Sequence, residues 1–131
     1  MNYFEYTSKI CLAESQETVV FSSVKAIVIN GSKIRIYSKK KINTVELLAS
    51  EDVQKKLLDD FTDYLRRKSI SYHSSSYAYL KTVVVLNGLA RISSSDYRLV
   101  LDYQDRDFPV FIETSTFGIL GEIRGKILER L

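Results

Sequence analysis

Four groups of residues in this 131-residue chain have types and spacings that could do chemistry. Gly121, Gly125 and Lys126 are arranged somewhat like a phosphate-binding loop, where a glycine-rich turn offers backbone N–H groups and a lysine to phosphates. The glycines stand one residue too close together, and Ile127 occupies the place of the Ser or Thr that would hold magnesium. Nucleotide binding is therefore not expected there. Asp102, Asp105, Asp107 and Glu113 could supply the clustered oxygens that hard cations require, and Asp102 and Glu113 have the first-to-last spacing of a calcium loop. The interior breaks that pattern: Gln104 is a poor third ligand, Arg106 a repulsive fifth, and Asp107 replaces the glycine that permits the turn. A solvated acidic loop between two strands is expected instead.

His73 is the only histidine and is surrounded by Ser71, Ser74, Ser75 and Ser76. A nucleophile and base would have to lie within hydrogen-bond reach of each other, which serines in a polar linker do not ensure. An exposed loop histidine is the expectation. One histidine and one cysteine, Cys11, fall short of the four N or S ligands of a structural zinc site, and a single thiol closes no internal disulfide. No catalytic residue, metal site or cofactor emerges, so a non-enzymatic protein is expected.

The remaining candidates are surfaces. Lys33, Arg35, Lys39, Lys40 and Lys41 form a basic run without an acid, and Arg66, Arg67 and Lys68 form a second cluster. Brought together, they would make a patch for nucleic acid, with Tyr37 available to stack on a base. Alternation along a strand makes a solvated face of Lys33, Arg35 and Tyr37 the simpler expectation. Nine tyrosines in a chain without tryptophan offer interface anchors, and Tyr77 and Tyr79 share parity on an expected strand. Gly118, Gly121 and Gly125 line one strip of an expected helix. Such a strip admits close approach of a backbone, from this protein's own sheet or from a helix of another chain.

The frame that must position these groups is small. The length suits one domain, and 45% hydrophobic with 27% charged residues is a globular balance. No uncharged run approaches the roughly 20 residues needed to cross a bilayer. No export signal is visible at the N-terminus, so a cytoplasmic location is expected. Few Asn, Gln, Cys and Met beside many Ile, Val, Lys and Arg resembles the composition of heat-adapted proteins.

Residues 3–12 alternate as a half-buried strand, with Phe4, Tyr6, Ile10 and Leu12 on one side. Residues 18–29 fit either a helix or strands. The following Asn30-Gly31 favours strands, because that dipeptide accepts the positive φ angles of a type I′ hairpin turn between residues 26–29 and 34–37. Residues 42–48, 97–103 and 109–114 read as further strands, the last confined by Pro109 to an edge or begun by it. A helix over 51–68 opens on Ser50 and carries an apolar stripe of Val53, Leu57, Leu58, Phe61, Tyr64 and Leu65. Residues 69–76 read as a serine-rich connection. A second helix, 116–131, is expected after a cap within 114–116.

The segment containing Lys25, Val28, Arg35, Ile36 and Ser38 recurs as Lys81, Val84, Arg91, Ile92 and Ser94, each copy with an Asn-Gly turn. Either a pseudo-repeat with halves 1–69 and 70–131 or two independent Ile/Val hairpins produces this. The fold expectation is α+β: a curved or split antiparallel sheet of six to eight strands, with the two helices covering one face. Three functions are compatible: a self-associating interaction module or assembly subunit, a carrier of an apolar small molecule beneath a helix, and a nucleic-acid binder.

Overall fold

The β-branched runs on either side of Gly31 form the central hairpin. In the computed structural model, which describes residues 9–12, 17–38, 45–48, 50–106 and 108–131, β3 (Val24–Asn30) pairs antiparallel with β4 (Lys33–Ser38). The turn differs from the expected one. Asn30 pairs with Lys33, so the loop is Gly31-Ser32, with positive φ at Gly31 alone (61°), as a type II′ turn requires. Outside the loop, Asn30 is free to tie the hairpin to another sheet, and its side chain donates to the Glu113 carbonyl at 3.1 Å.

Ten strands are present among the described residues, more than the six to eight expected, in three antiparallel sheets. β1 (Lys9–Leu12) and β2 (Glu17–Val20) form a two-stranded ribbon; residues 3–8 of the expected first strand lie outside the described residues. A single 3₁₀ turn, Phe21–Ser23, joins β2 to β3, so residues 18–29 are strand apart from that turn. The five-stranded central sheet has the order β5 (Val45–Leu48), β4, β3, β7 (Leu80–Val85), β6 (Tyr72–Ser76). The third sheet has the order β10 (Val110–Glu113), β9 (Arg98–Tyr103), β8 (Leu89–Ser94). Between the strands lie α1 (Glu51–Arg67) and α2 (Ile119–Arg130).

The second Asn-Gly turn closes no hairpin. Leu89 N–H bonds the Leu86 carbonyl, and positive φ is confined to Gly88 (82°) at the third turn position, the requirement of type II. That twist splays the flanking strands, and β7 and β8 enter different sheets. The two similar segments thus have different partners: β7 pairs with β3, whereas β8 pairs with β9.

Strand alternation sets the layers. On one face of the central sheet, Ile27, Ile29, Ile34, Ile36, Val83 and Val85 pack against Leu57, Phe61 and Leu65 of α1. On the other face, Ala26, Val28, Tyr37 and Val84 meet Leu99, Leu101 and Ile112 of the third sheet and Leu120, Ile123 and Ile127 of α2. The helices consequently lie on opposite sides of the central sheet and do not share a face. A register shift between Val24 and Ala26 returns Val24 to the α1 side.

Polar latches fix the third sheet. Arg106, 7% exposed, donates to the carbonyls of Ser38 (3.0 Å), Pro109 (3.2 Å) and Phe108, while its guanidinium lies over the Tyr37 ring. Tyr37 hydroxyl donates to the Phe111 carbonyl at 3.1 Å, and Tyr103 hydroxyl to the Val85 carbonyl. The Tyr37 bond to Phe111 and the Asn30 bond to Glu113 occupy outward backbone groups of β10 that would otherwise be an open edge.

Candidate functional site: the groove beside strand β6

The serine-rich stretch expected to be a connection is an edge strand. Residues 72–76 pair with β7 in the register Tyr72 with Val85 through Ser76 with Lys81. Val83, Val84 and Val85 supply a strongly β-prone partner, and tertiary pairing overrides the weak strand preference of serine. The two ends of the ladder show which backbone groups are used. Tyr77 N–H donates to the Leu80 carbonyl (2.8 Å), and Leu86 N–H donates to the Ser71 carbonyl (2.9 Å). Hydrogen-bonded pairs alternate in an antiparallel ladder, so residues 71, 73, 75 and 77 turn their backbone groups toward β7. Tyr72, Ser74 and Ser76 turn theirs outward at the edge of the sheet, and among the described residues no hydrogen bond occupies them.

Side chains follow the same parity. Those of Tyr72, Ser74 and Ser76 point to the α1 side of the sheet, where they line a groove of about 630 Å³ between β6 and the helix. Leu58 and Val83 add apolar wall, Lys55, Asp59 and Thr62 add polar wall, and Glu51, Asp52, Arg66 and Lys81 stand toward its ends. Such a cleft is far larger than a serine side chain can fill.

The placement of α1 creates this groove. Ser50 caps it, its Oγ accepting from Val53 N–H at 3.4 Å. The fully buried Gln54 donates from Nε2 to the Gly31 carbonyl at 2.9 Å and pins the first turn of the helix to the β3–β4 turn. The buried line runs Gln54, Leu57, Phe61, Tyr64, Leu65, so the expected stripe is rotated and Leu58 is left half-exposed on the groove wall. At the other end, Ile70 N–H reaches the Leu65 carbonyl and Ser69 N–H the Arg66 carbonyl, with Ser69 left-handed at φ 55°. These two bonds are a Schellman closure, and they deliver the chain directly into β6.

Ion pairs one turn apart line the outer face of α1. Lys55 and Lys56 bond downstream to Asp59 and Asp60, each at 3.3 Å, and Asp63 bonds Arg66. Glu51 and Asp52 are left at the helix N-terminus without an ion pair among the described residues. They complement the positive end of the helix dipole there.

His73 is not an exposed loop residue. Its side chain points away from the groove, toward α2, and is 7% exposed, with Nε2 lacking a hydrogen-bond partner among the described residues. Burial, and then the nearby charges of Arg130 and Lys126, push its pKa below the ordinary histidine value. Neither neighbouring serine faces it as a nucleophile would: Ser74 is on the opposite face, and Ser75 Oγ is engaged with Thr82 Oγ1 at 2.6 Å.

Tyr77 and Tyr79 lie in the turn between β6 and β7, not on a strand. Tyr77 is half-buried, and burial followed by the adjacent Glu122 carboxylate raises its pKa. Tyr79 is 79% exposed, while its carbonyl accepts from Gly31 N–H at 2.9 Å. The second helix begins at Ile119, later than the expected 116, because Gly118 is left-handed (φ 92°). Gly121 and Gly125 do not pack on the protein's own sheet: a Cβ at either would meet nothing within 4 Å. Arg124, between them, is exposed. Both glycines belong to the helix, which removes the phosphate-loop geometry as well.

The basic clusters are not assembled into one patch by the described residues. Lys33 and Arg35 line a separate cleft of about 230 Å³ with Phe111 and Glu113, on the face opposite α1. Arg66, Arg67 and Lys68 stand at the far end of α1 from Gln54 and Gly31, and Lys39, Lys40 and Lys41 lie outside the described residues. The acidic loop is likewise dispersed into ion pairs: Asp102 with Arg91 (3.2 Å), Asp105 with Lys25 (3.2 Å) and Glu113 with Arg98 (3.1 Å). Asp107 is outside the described residues. Among the described residues no three His, Cys, Asp or Glu side chains are grouped to hold a metal ion, and no helix is long and apolar enough to cross a membrane.

Sequence reasoning missed β6 because its residues look like a linker. The available signal was the apolar partner two turns of chain later, residues 80–85, which needs a neighbour on each side. Comparison with known proteins adds no further constraint: no family model, no curated protein and no solved structure gives a significant match to this chain.

Proposed function

We propose that this chain is a non-enzymatic protein-interaction module that takes an extended polypeptide segment as an additional strand along β6. The observation that carries this reading is the coincidence of outward backbone groups on Tyr72, Ser74 and Ser76 with a groove lined by the side chains of the same residues. Main-chain pairing supplies affinity in such complexes, and pockets for alternate side chains supply selectivity. An added strand opposite β6 would direct every second side chain under α1, toward Leu58 and Val83, and the intervening ones toward α2.

The groove favours a foreign segment over a second copy of β6. A copy would present only Tyr72, Ser74 and Ser76 to the cleft, and two serines leave most of its volume empty. The carrier and nucleic-acid readings have less behind them, since the interlayer spaces are occupied by fully buried side chains and the two described basic clusters are on different surfaces.

The test uses Ser74→Pro. Residue 74 turns its N–H away from β7, so proline there spares the ladder but removes the donor an added strand needs. The labelled nonapeptide Lys-Lys-Leu-Thr-Leu-Thr-Leu-Glu-Glu, followed by fluorescence polarisation, is expected to bind the native protein and to lose at least about tenfold in affinity on the variant, equal to about 1.4 kcal/mol. Unchanged binding by a variant with native circular dichroism would overturn the proposal, as would no binding by the native protein.

A further inference from the structure

The two ends of β6 carry opposite charge on both faces of the sheet, and we infer that the groove selects an antiparallel segment that is basic toward its N-terminus and acidic toward its C-terminus. The inference rests on the strand-capture reading above. At the Tyr72 end, Arg66 donates to the Tyr72 hydroxyl at 3.3 Å on the α1 side, and Arg130 of α2 is close enough to His73 to disfavour its charge on the other side. At the Ser76 end, Glu51 and Asp52 border the groove on the α1 side, and the Glu122 carboxylate lies close enough to Tyr77 to add to the effect of burial on its hydroxyl on the α2 side. Lys81 is the exception at that end; Lys55 is paired with Asp59, as Arg66 is with Asp63 and Glu122, at 3.9 Å, with Lys126, which leaves Glu51, Asp52 and Arg130 without an ion pair among the described residues.

Direction follows from pairing. Every strand pairing among the described residues is antiparallel, and a segment continuing the pattern runs from the Ser76 end to the Tyr72 end. Its leading residues then lie beside Glu51, Asp52 and Glu122, and its trailing residues beside Arg66 and Arg130. A parallel segment with the same charges would set like against like at both ends. Three outward residues on β6 define a contact about five residues long, so charged residues just beyond a five-residue core reach the two ends.

The nonapeptide above and its charge-exchanged form, Glu-Glu-Leu-Thr-Leu-Thr-Leu-Lys-Lys, share length, net charge and apolar core. At low salt the basic-first peptide is expected to bind about tenfold more tightly, from two or more exposed charge contacts. The preference should shrink as salt rises. Exchanging the basic end, with Arg66→Glu and Arg130→Glu together, is expected to abolish or reverse it. Equal binding of the two peptides, with both lost in Ser74→Pro, would overturn the polarity inference and leave strand capture standing. A preference for the acidic-first peptide in the native protein would overturn it as well, and binding of neither would remove both.

Discussion

His73 makes acid a selective probe of the contact between β6 and α2. Its Nε2 is buried without a hydrogen-bond partner among the described residues, and Arg130 and Lys126 of α2 lie close enough to add to the effect of burial in disfavouring its charge. The folded protein therefore holds His73 neutral at a pH where the unfolded chain, with a histidine pKa of about 6.5, takes up a proton. A depressed folded-state pKa leaves stability fully present above about pH 6.5 and removes it as pH falls through that value toward the folded pKa. One proton sets the slope of that loss at no more than about 1.4 kcal/mol per pH unit. The chain has no other histidine, so this window belongs to one side chain. Urea unfolding followed by circular dichroism at half-unit pH steps measures it. His73→Leu, which has nothing to protonate, should flatten the profile between pH 7 and 5. A flat native profile, or an unchanged slope in the variant, would refute the reasoning.

Other perturbations test the devices that place the groove. Gln54→Ala strips the Gly31 carbonyl of a buried donor and should cost about 1–3 kcal/mol in urea unfolding. Ser69→Gly removes the strain of a left-handed L residue at the end of α1 and should raise stability by about 0.5–1 kcal/mol, read as a higher urea midpoint. Arg106→Met orphans the Ser38 and Pro109 carbonyls between the sheets and should destabilise by about 2–4 kcal/mol. Ser75→Pro, which removes a ladder donor to β7, should lower the thermal midpoint where Ser74→Pro does not.

The helix over 51–67 was legible because its cap, its charges and its apolar period all agree. The central hairpin was legible from β-branched runs around Gly31, although its turn type depended on which residue adopts positive φ. A split sheet was one of the two expected forms, but the place of the split was not legible. Type II and type I′ turns share the Asn-Gly dipeptide, and the choice at Asn87-Gly88 is made by where β7 and β8 find partners. The candidate site escaped notice for a related reason. Tyr72, His73 and three serines have no hydrophobic pattern that marks a strand, and only pairing with Val83, Val84 and Val85 makes them one. The glycine strip was visible, but not its exposure, because period alone does not say which side of α2 meets the core. Gln54 sits in the helical period of Leu57 and Phe61 and was passed over as polar.

Amide hydrogen exchange of β6, read by NMR with and without the basic-first nonapeptide, tests the strand-capture account most directly. In the free protein the amides of Tyr72, Ser74 and Ser76 should exchange fast, while those of His73 and Ser75 are protected by β7. Peptide at saturation should protect the first three and leave the other two as they were. Binding without new protection at Tyr72, Ser74 and Ser76 would contradict the account.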